Sequence, residues 1–171
     1  MISNRQYLKR ETQAAHDRAE RVWVGPAGFA DLHAYRRWLT AMLDLHRDFG
    51  RPAERRLARL HDEPAEERRI SALCADLGCA CDAPRPGDDV SESWAWGAQY
   101  VLNGSAIGAS ILLKSASLQE GWPRAYLREM RSFATSGRLA DFFAGLDAAQ
   151  LNLPLAKAGA LAVFEGSFAH A

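Results

Sequence analysis

The sequence has no excess of charge of either sign: 21 Lys and Arg stand against 21 Asp and Glu in 171 residues. A chain so balanced has no field to draw in nucleic acid or an anionic membrane, so neither is an expected partner. Long apolar runs are missing too. None approaches the roughly 20 residues of a membrane span, and the opening residues, MISNRQYLKRET, lack the apolar centre of a secretion signal. The expected location is the cytoplasm. Cysteine is scarce: Cys74, Cys79 and Cys81 are odd in number and lack the paired spacing of a zinc site or a disulfide framework, which points to reduced thiols. Alternating β-branched stretches are absent, and with them the signature of strands. There is also no glycine fingerprint for a dinucleotide and no cysteine pattern for an iron–sulfur cluster.

What is present is helical periodicity. Between its Gly and Pro punctuation the chain repeats apolar residues at spacings of three and four, which predicts a single all-α, multi-helix domain over residues 1–171. A first helix is expected from about Asn4 to Val24, and a second from near Asp31 to a stop at Gly50. Pro52 suits the first turn of a short helix through His61, and Pro64 opens another that ends at Gly78. A Pro/Asp-rich loop follows from Cys79 to Asp89. A long helical pattern then runs from about Ser91 to Gln119, interrupted by Gly104 and Gly108, and Gly121-Trp122-Pro123 resets the chain for three more helices ending near His170.

On the first helix, Lys9, Thr12, His16, Glu20 and Trp23 fall within an arc of roughly 80°, beside an apolar stripe of Leu8, Ala15, Ala19 and Val22. A neutral imidazole at such a boundary can ligate iron, and Glu20 one turn on can orient the ring. The plainer reading is a surface pair four residues apart. Gly104 and Gly108 each cost a helix about 1 kcal/mol relative to alanine, so they call for a reason. With Ser105 and Ala109 they make a side-chain-poor strip that suits either a flat ligand or a close-packed helix. Ser105 is not a hydrolase nucleophile, because Gly104-Ser105-Ala106-Ile107-Gly108 does not have the G-x-S-x-G order and no strand leads into it.

Two segments together resemble one family. LKRETQAAHDRAE (Leu8 to Glu20) is similar to the proximal-helix signature of haem oxygenases, and YVLNGSAIGASILLK (Tyr100 to Lys114) to the distal helix of the soluble bacterial members. The resemblance implies a haem sandwiched between the first helix and a kinked, glycine-containing distal helix. His16 would be the iron ligand, Glu20 its neighbouring carboxylate, and Lys9 a partner of a haem propionate. Thr12 shares that stripe. Tyr100 would bond a propionate, Gly104 and Gly108 would let the helix press near the haem, and Arg124 and Arg128 would support propionates, with Arg131 competing for that role. Ser105 stands where animal-type members carry an acidic residue.

The activity so implied is oxygen- and reductant-dependent opening of haem, both cofactor and substrate, to biliverdin with release of CO and iron. Electrons would come from an external donor such as a reductase, ferredoxin or flavodoxin-like protein. The alternatives are a haem-binding or haem-transfer protein that does not turn haem over, and a haem-free bundle of the related thiaminase-like architecture. The remaining histidines carry no such expectation: His33 and His46 read as residues on different faces of the second helix, His61 sits among charges, and His170 lies at a chain end. The charge runs Glu54-Arg55-Arg56 and Glu66-Glu67-Arg68-Arg69 read as solvated helix surface.

Overall fold

Helices are the regular structure of this chain, and no strand occurs among the described residues. A computed structural model describes residues 2–25, 28–58, 65–82, 89–115 and 118–169. Helix α1 (Asn4–Trp23) starts from a reciprocal cap: the Ser3 hydroxyl accepts from the Gln6 amide at 3.3 Å, and the Gln6 side chain accepts from the Ser3 amide at 3.1 Å. Helix α2 (Leu32–Leu45) starts at Asp31, whose carboxylate accepts from the Ala34 amide, and buries Tyr35, Trp38, Leu39 and Met42.

The stop expected at Gly50 does not occur. The chain passes through a π-helical turn (His46–Gly50) directly into α3 (Arg51–Leu57). Gly50 keeps a helical conformation, with φ −64°, and its lack of a side chain is what matters: a Cβ there would collide with the carboxylate of Glu66. Helix α3 ends before the expected His61, and residues 59–64, including Pro64, lie outside the described residues. Helix α4 (Ala65–Leu77) is capped from α3, because the Glu54 carboxylate accepts from the amides of Ala65 (2.6 Å) and Glu66 (3.1 Å). It stops where expected, at Gly78, whose φ of +68° favours glycine. Most of the Pro/Asp-rich loop, residues 83–88, lies outside the described residues.

Helix α5 (Glu92–Leu112) is one unbroken α-helix through both glycines. It ends seven residues before the expected Gln119. Tight turns from Ile111 to Lys114 and from Leu112 to Ser115 close it. Helices α6 (Ala125–Thr135), α7 (Arg138–Ala148) and α8 (Leu153–Phe168) follow Pro123 as the punctuation predicts. Asp76, at the end of α4, caps α6 by accepting from the amides of Ala125 (2.8 Å) and Tyr126 (2.9 Å).

Helix α5 runs through the centre, against α8, α6 and α3. Its closest approach is to α8. A Cβ on Gly97 would strike the backbone carbonyl of Ala156, and one on Gly159 would strike that of Trp94. These two glycines let the helix backbones touch. Helix α1 lies on the outside, against α8 and α7, held by Asn4 Nδ2 on the carbonyls of Leu146 (2.8 Å) and Ala149 (2.9 Å) and by a Lys157–Glu11 ion pair at 2.8 Å. No helix among the described residues is long and apolar enough to cross a membrane.

Candidate functional site

Beyond Tyr100, one face of α5 has no partner among the described residues. At 100° per residue, Tyr100, Gly104, Ile107, Gly108 and Ile111 share an arc of roughly 100°. A Cβ on Gly104 or Gly108 would meet no described atom within 4 Å, whereas Gly50, Gly97, Gly145, Gly159 and Gly166 each lie against a neighbour. Ile107 is 53% exposed and Ile111 66% exposed. Of the two readings left open for the strip, close helix packing therefore fails here. The helix-packing glycines of α5 and α8 are Gly97 and Gly159: Gly97 lies on the same side of α5 two turns before Gly104, where α8 covers it, and that cover does not extend to Gly104.

Helix α1 is just as bare over its second half. Leu8 and Thr12 are its only buried residues among those described, and Val22, expected in the apolar stripe, is 44% exposed. The Tyr100 hydroxyl lies beside Thr12, so α1 and α5 meet there. One turn further along α1 stands His16, and one turn further along α5 stands Gly104. The His16 side chain is 53% exposed, with its ring edge on Phe164 of α8. Its Nδ1 is 3.8 Å from Asp17 and its Nε2 3.9 Å from Glu20, too far for hydrogen bonds, so both nitrogens are free to take a ligand. These three side chains form the one cluster of potential metal-binding groups among the described residues.

The basic residues divide into two sets. Lys9 is exposed on α1, and Arg5 interacts with Tyr100, whose hydroxyl is kept protonated by burial. Arg124, Arg128 and Arg131 line an open groove of about 510 Å³ with Leu113, Ser132 and Thr135. Arg124 is partly occupied, donating to the carbonyls of Leu118 (2.9 Å) and Gln119 (3.0 Å). Tyr100 opens the bare face of α5 and Leu113 lies just past its end, about 20 Å apart at 1.5 Å per residue.

Beneath α5 lies a polar network that contradicts the reading of its charge run as solvated surface. Glu66 and Arg69 are wholly buried, as is His46, which sits in the π-helical turn and not on α2. The Glu66 carboxylate accepts from Arg69 Nη1 (2.7 Å) and Gln99 Nε2 (3.2 Å) and lies 2.6 Å from His46 Nδ1. Arg69 Nη2 also donates to Asn103 Oδ1 at 2.6 Å. Burial works to raise the Glu66 pKa. The charges on His46 and Arg69 and the bonds from His46 and Gln99 outweigh it and hold the group at about 2. The network reaches back to the bare face: His46 Nε2 is 2.9 Å from the Tyr126 hydroxyl, which lies beside Ser105. Ser105 Oγ donates to the Leu102 carbonyl at 2.7 Å.

Fold and site thus define an all-helical, single-domain bundle with an unfilled apolar face on its central helix and an exposed histidine on the helix beside it. Comparison with models of known families and with curated proteins found no match.

Proposed function

We propose that this chain binds haem between α1 and the Tyr100–Ile111 face of α5 and opens it to biliverdin, releasing CO and iron. The observation that carries this reading is the pair of α5 glycines facing open space. Glycine inside a helix suits a place where a ligand or another backbone comes close, and no described backbone comes close to Gly104 or Gly108. His16 fits as the iron ligand, because its ring is exposed and neither nitrogen is committed. Glu20 and Asp17, each just beyond direct hydrogen-bond reach, would orient the nitrogen not bonded to iron through a bridging water. Lys9, with Tyr100 as a neutral donor and Arg5 beside it, fits the propionates. The Arg124–Arg128–Arg131 groove is then left for acidic side chains of an electron donor, such as a reductase, ferredoxin or flavodoxin-like protein.

When bound, haem supplies the iron that takes up O₂ and electrons, and its own ring is the substrate. The chain contributes position and protons. The exposed isoleucines keep water from that side of the cleft once it is filled. Ser105, Tyr126, His46 and Glu66 form a hydroxyl–phenol–imidazole–carboxylate series through which a proton at Ser105 Oγ can be replaced from the interior. One feature favours the alternative, haem binding without turnover: the Ser105 proton is engaged on the Leu102 carbonyl and must be released before it can serve the cleft.

The test is to titrate the protein with haemin and then add ascorbate or a reductase under air. Loss of the Soret band with growth of a biliverdin band is expected. A haem complex whose spectrum survives reductant and air supports the binding-only alternative, and no complex at all removes both readings.

A further inference from the structure

The thiols of Cys74, Cys79 and Cys81 gather where α4 ends. Cys74 is buried on the last turns of α4, while Cys79 and Cys81 are exposed. Gly78 turns the chain back, so the Cys79 amide donates to the Cys74 carbonyl at 3.1 Å and both later sulfurs lie beside that of Cys74. The Cys74 thiol points at the carbonyl of Ala80 (3.9 Å), and the Cys81 thiol reaches back to that of Ile70 (4.0 Å), one turn before Cys74. The Cys81 side chain is thus laid along α4 against Cys74.

A fixed cation marks out one of the two exposed thiols. The Arg51 guanidinium, itself buried, is held by Glu67 at 2.7 and 2.9 Å and donates to the carbonyl of Asp82 at 3.4 Å. Its charge acts on Cys74 and Cys81. Burial and the neighbouring thiols push Cys74 up to about 12, so Cys74 stays a thiol at neutral pH. An accessible sulfur next to a guanidinium, touching a protected one, is the arrangement in which the first is oxidised and the second captures the product.

We propose that Cys74 and Cys81 are a peroxide-sensitive dithiol that closes into an intramolecular disulfide. The Cys81 sulfur attacks hydrogen peroxide, breaking the O–O bond and forming a sulfenic acid; the thiol's own proton goes to the departing hydroxide, which leaves as water. The Cys74 sulfur then displaces the hydroxyl of that sulfenic acid, forming the S–S bond; the Cys74 proton leaves with the hydroxyl as a second water. Two thiols are oxidised by two electrons, and one peroxide is reduced to two waters. The bond would fasten residues 79–82 to α4. Asp82, which pairs with Arg47 at 3.3 Å, would be fixed with them, and the anchor point, Cys74, lies two residues before Asp76, which caps α6. None of the groups on the bare face of α5 takes part, so this reaction stands or falls apart from haem.

The experiment treats the reduced full-length protein with one equivalent of hydrogen peroxide, alkylates what remains, and maps a digest by mass spectrometry without reduction. The wild type should lose two of its three reactive thiols and about 2 Da, with Cys74 joined to Cys81. Cys79→Ser should behave the same. Cys81→Ser, a change at an exposed position, should form no intramolecular disulfide, with its helical circular dichroism unchanged. The proposal is overturned if three thiols remain after peroxide, if Cys79 is joined to Cys81, or if Cys81→Ser closes a Cys74–Cys79 bond as readily as the wild type closes its own.

Discussion

Replacing Glu66 by Gln keeps the shape of the side chain and removes its charge. Arg69, wholly buried, would keep only neutral acceptors: the new amide oxygen and Asn103 Oδ1 at 2.6 Å. Breaking one side of a buried ion pair costs about 3–5 kcal/mol, a large part of the roughly 5–15 kcal/mol that keeps a domain folded. The pH dependence gives an independent measure. A carboxyl held at about 2 in the folded chain, against 4.5 ordinarily, adds stability above its unfolded value and loses it as the pH falls through 4.5 towards 2. A shift of that size corresponds to about 3 kcal/mol. Urea unfolding followed by tryptophan fluorescence should therefore put Glu66→Gln several kcal/mol below the wild type near neutral pH. The two should draw together near pH 3, because only the wild type still has this charge to lose. A variant as stable as the wild type at neutral pH, or a gap that does not narrow in acid, would refute the account of the buried network.

The glycines of α5 should separate by role. Gly104→Ala and Gly108→Ala meet open space, so each should raise helix stability by up to about 1 kcal/mol, while haemin affinity falls ~10-fold or more because a methyl group intrudes on the bare face. Thermal melts and haemin titrations on the same samples check both halves; stabilised variants that bind haemin unchanged would remove haem from this face. Gly97→Ala should behave in the opposite way. Its Cβ strikes the Ala156 carbonyl, forcing α5 and α8 apart at a cost of about 3 kcal/mol, and a melt within a degree of the wild type would contradict the close packing.

The helix order was legible because Gly and Pro mark most of its boundaries: Gly78, Pro123 and the caps at Ser3, Asp31 and Ser91 act locally, through backbone conformation or a single side chain. Gly50 misled because its role is not local. It remains helical to make room for a carboxylate sixteen residues away, and the same long-range fit conceals Glu66 and Arg69 in what reads as a solvated charge run. Their partners come from the π-helical turn and from α5, a set no spacing rule assembles. Gly97 and Gly159 escaped notice for the same reason: each is paired with the other helix, at Ala156 and Trp94. The candidate site was visible as residues, in His16 and the Gly104–Gly108 strip. What periodicity could not supply was the emptiness beside them. Val22 and Ile111 carry the pattern of packed residues, and only the arrangement of α1 and α5 leaves them uncovered.

The central claim is that His16 holds haem iron beside the bare face of α5. The most direct test compares the optical and electron-paramagnetic spectra of the haemin complexes of the wild type and His16→Ala. His16 is exposed and makes no hydrogen bond of its own, so the variant should fold normally, yet its complex should lose the histidine-ligated spectrum and regain it when imidazole is added. An unchanged spectrum and affinity in His16→Ala would contradict the claim.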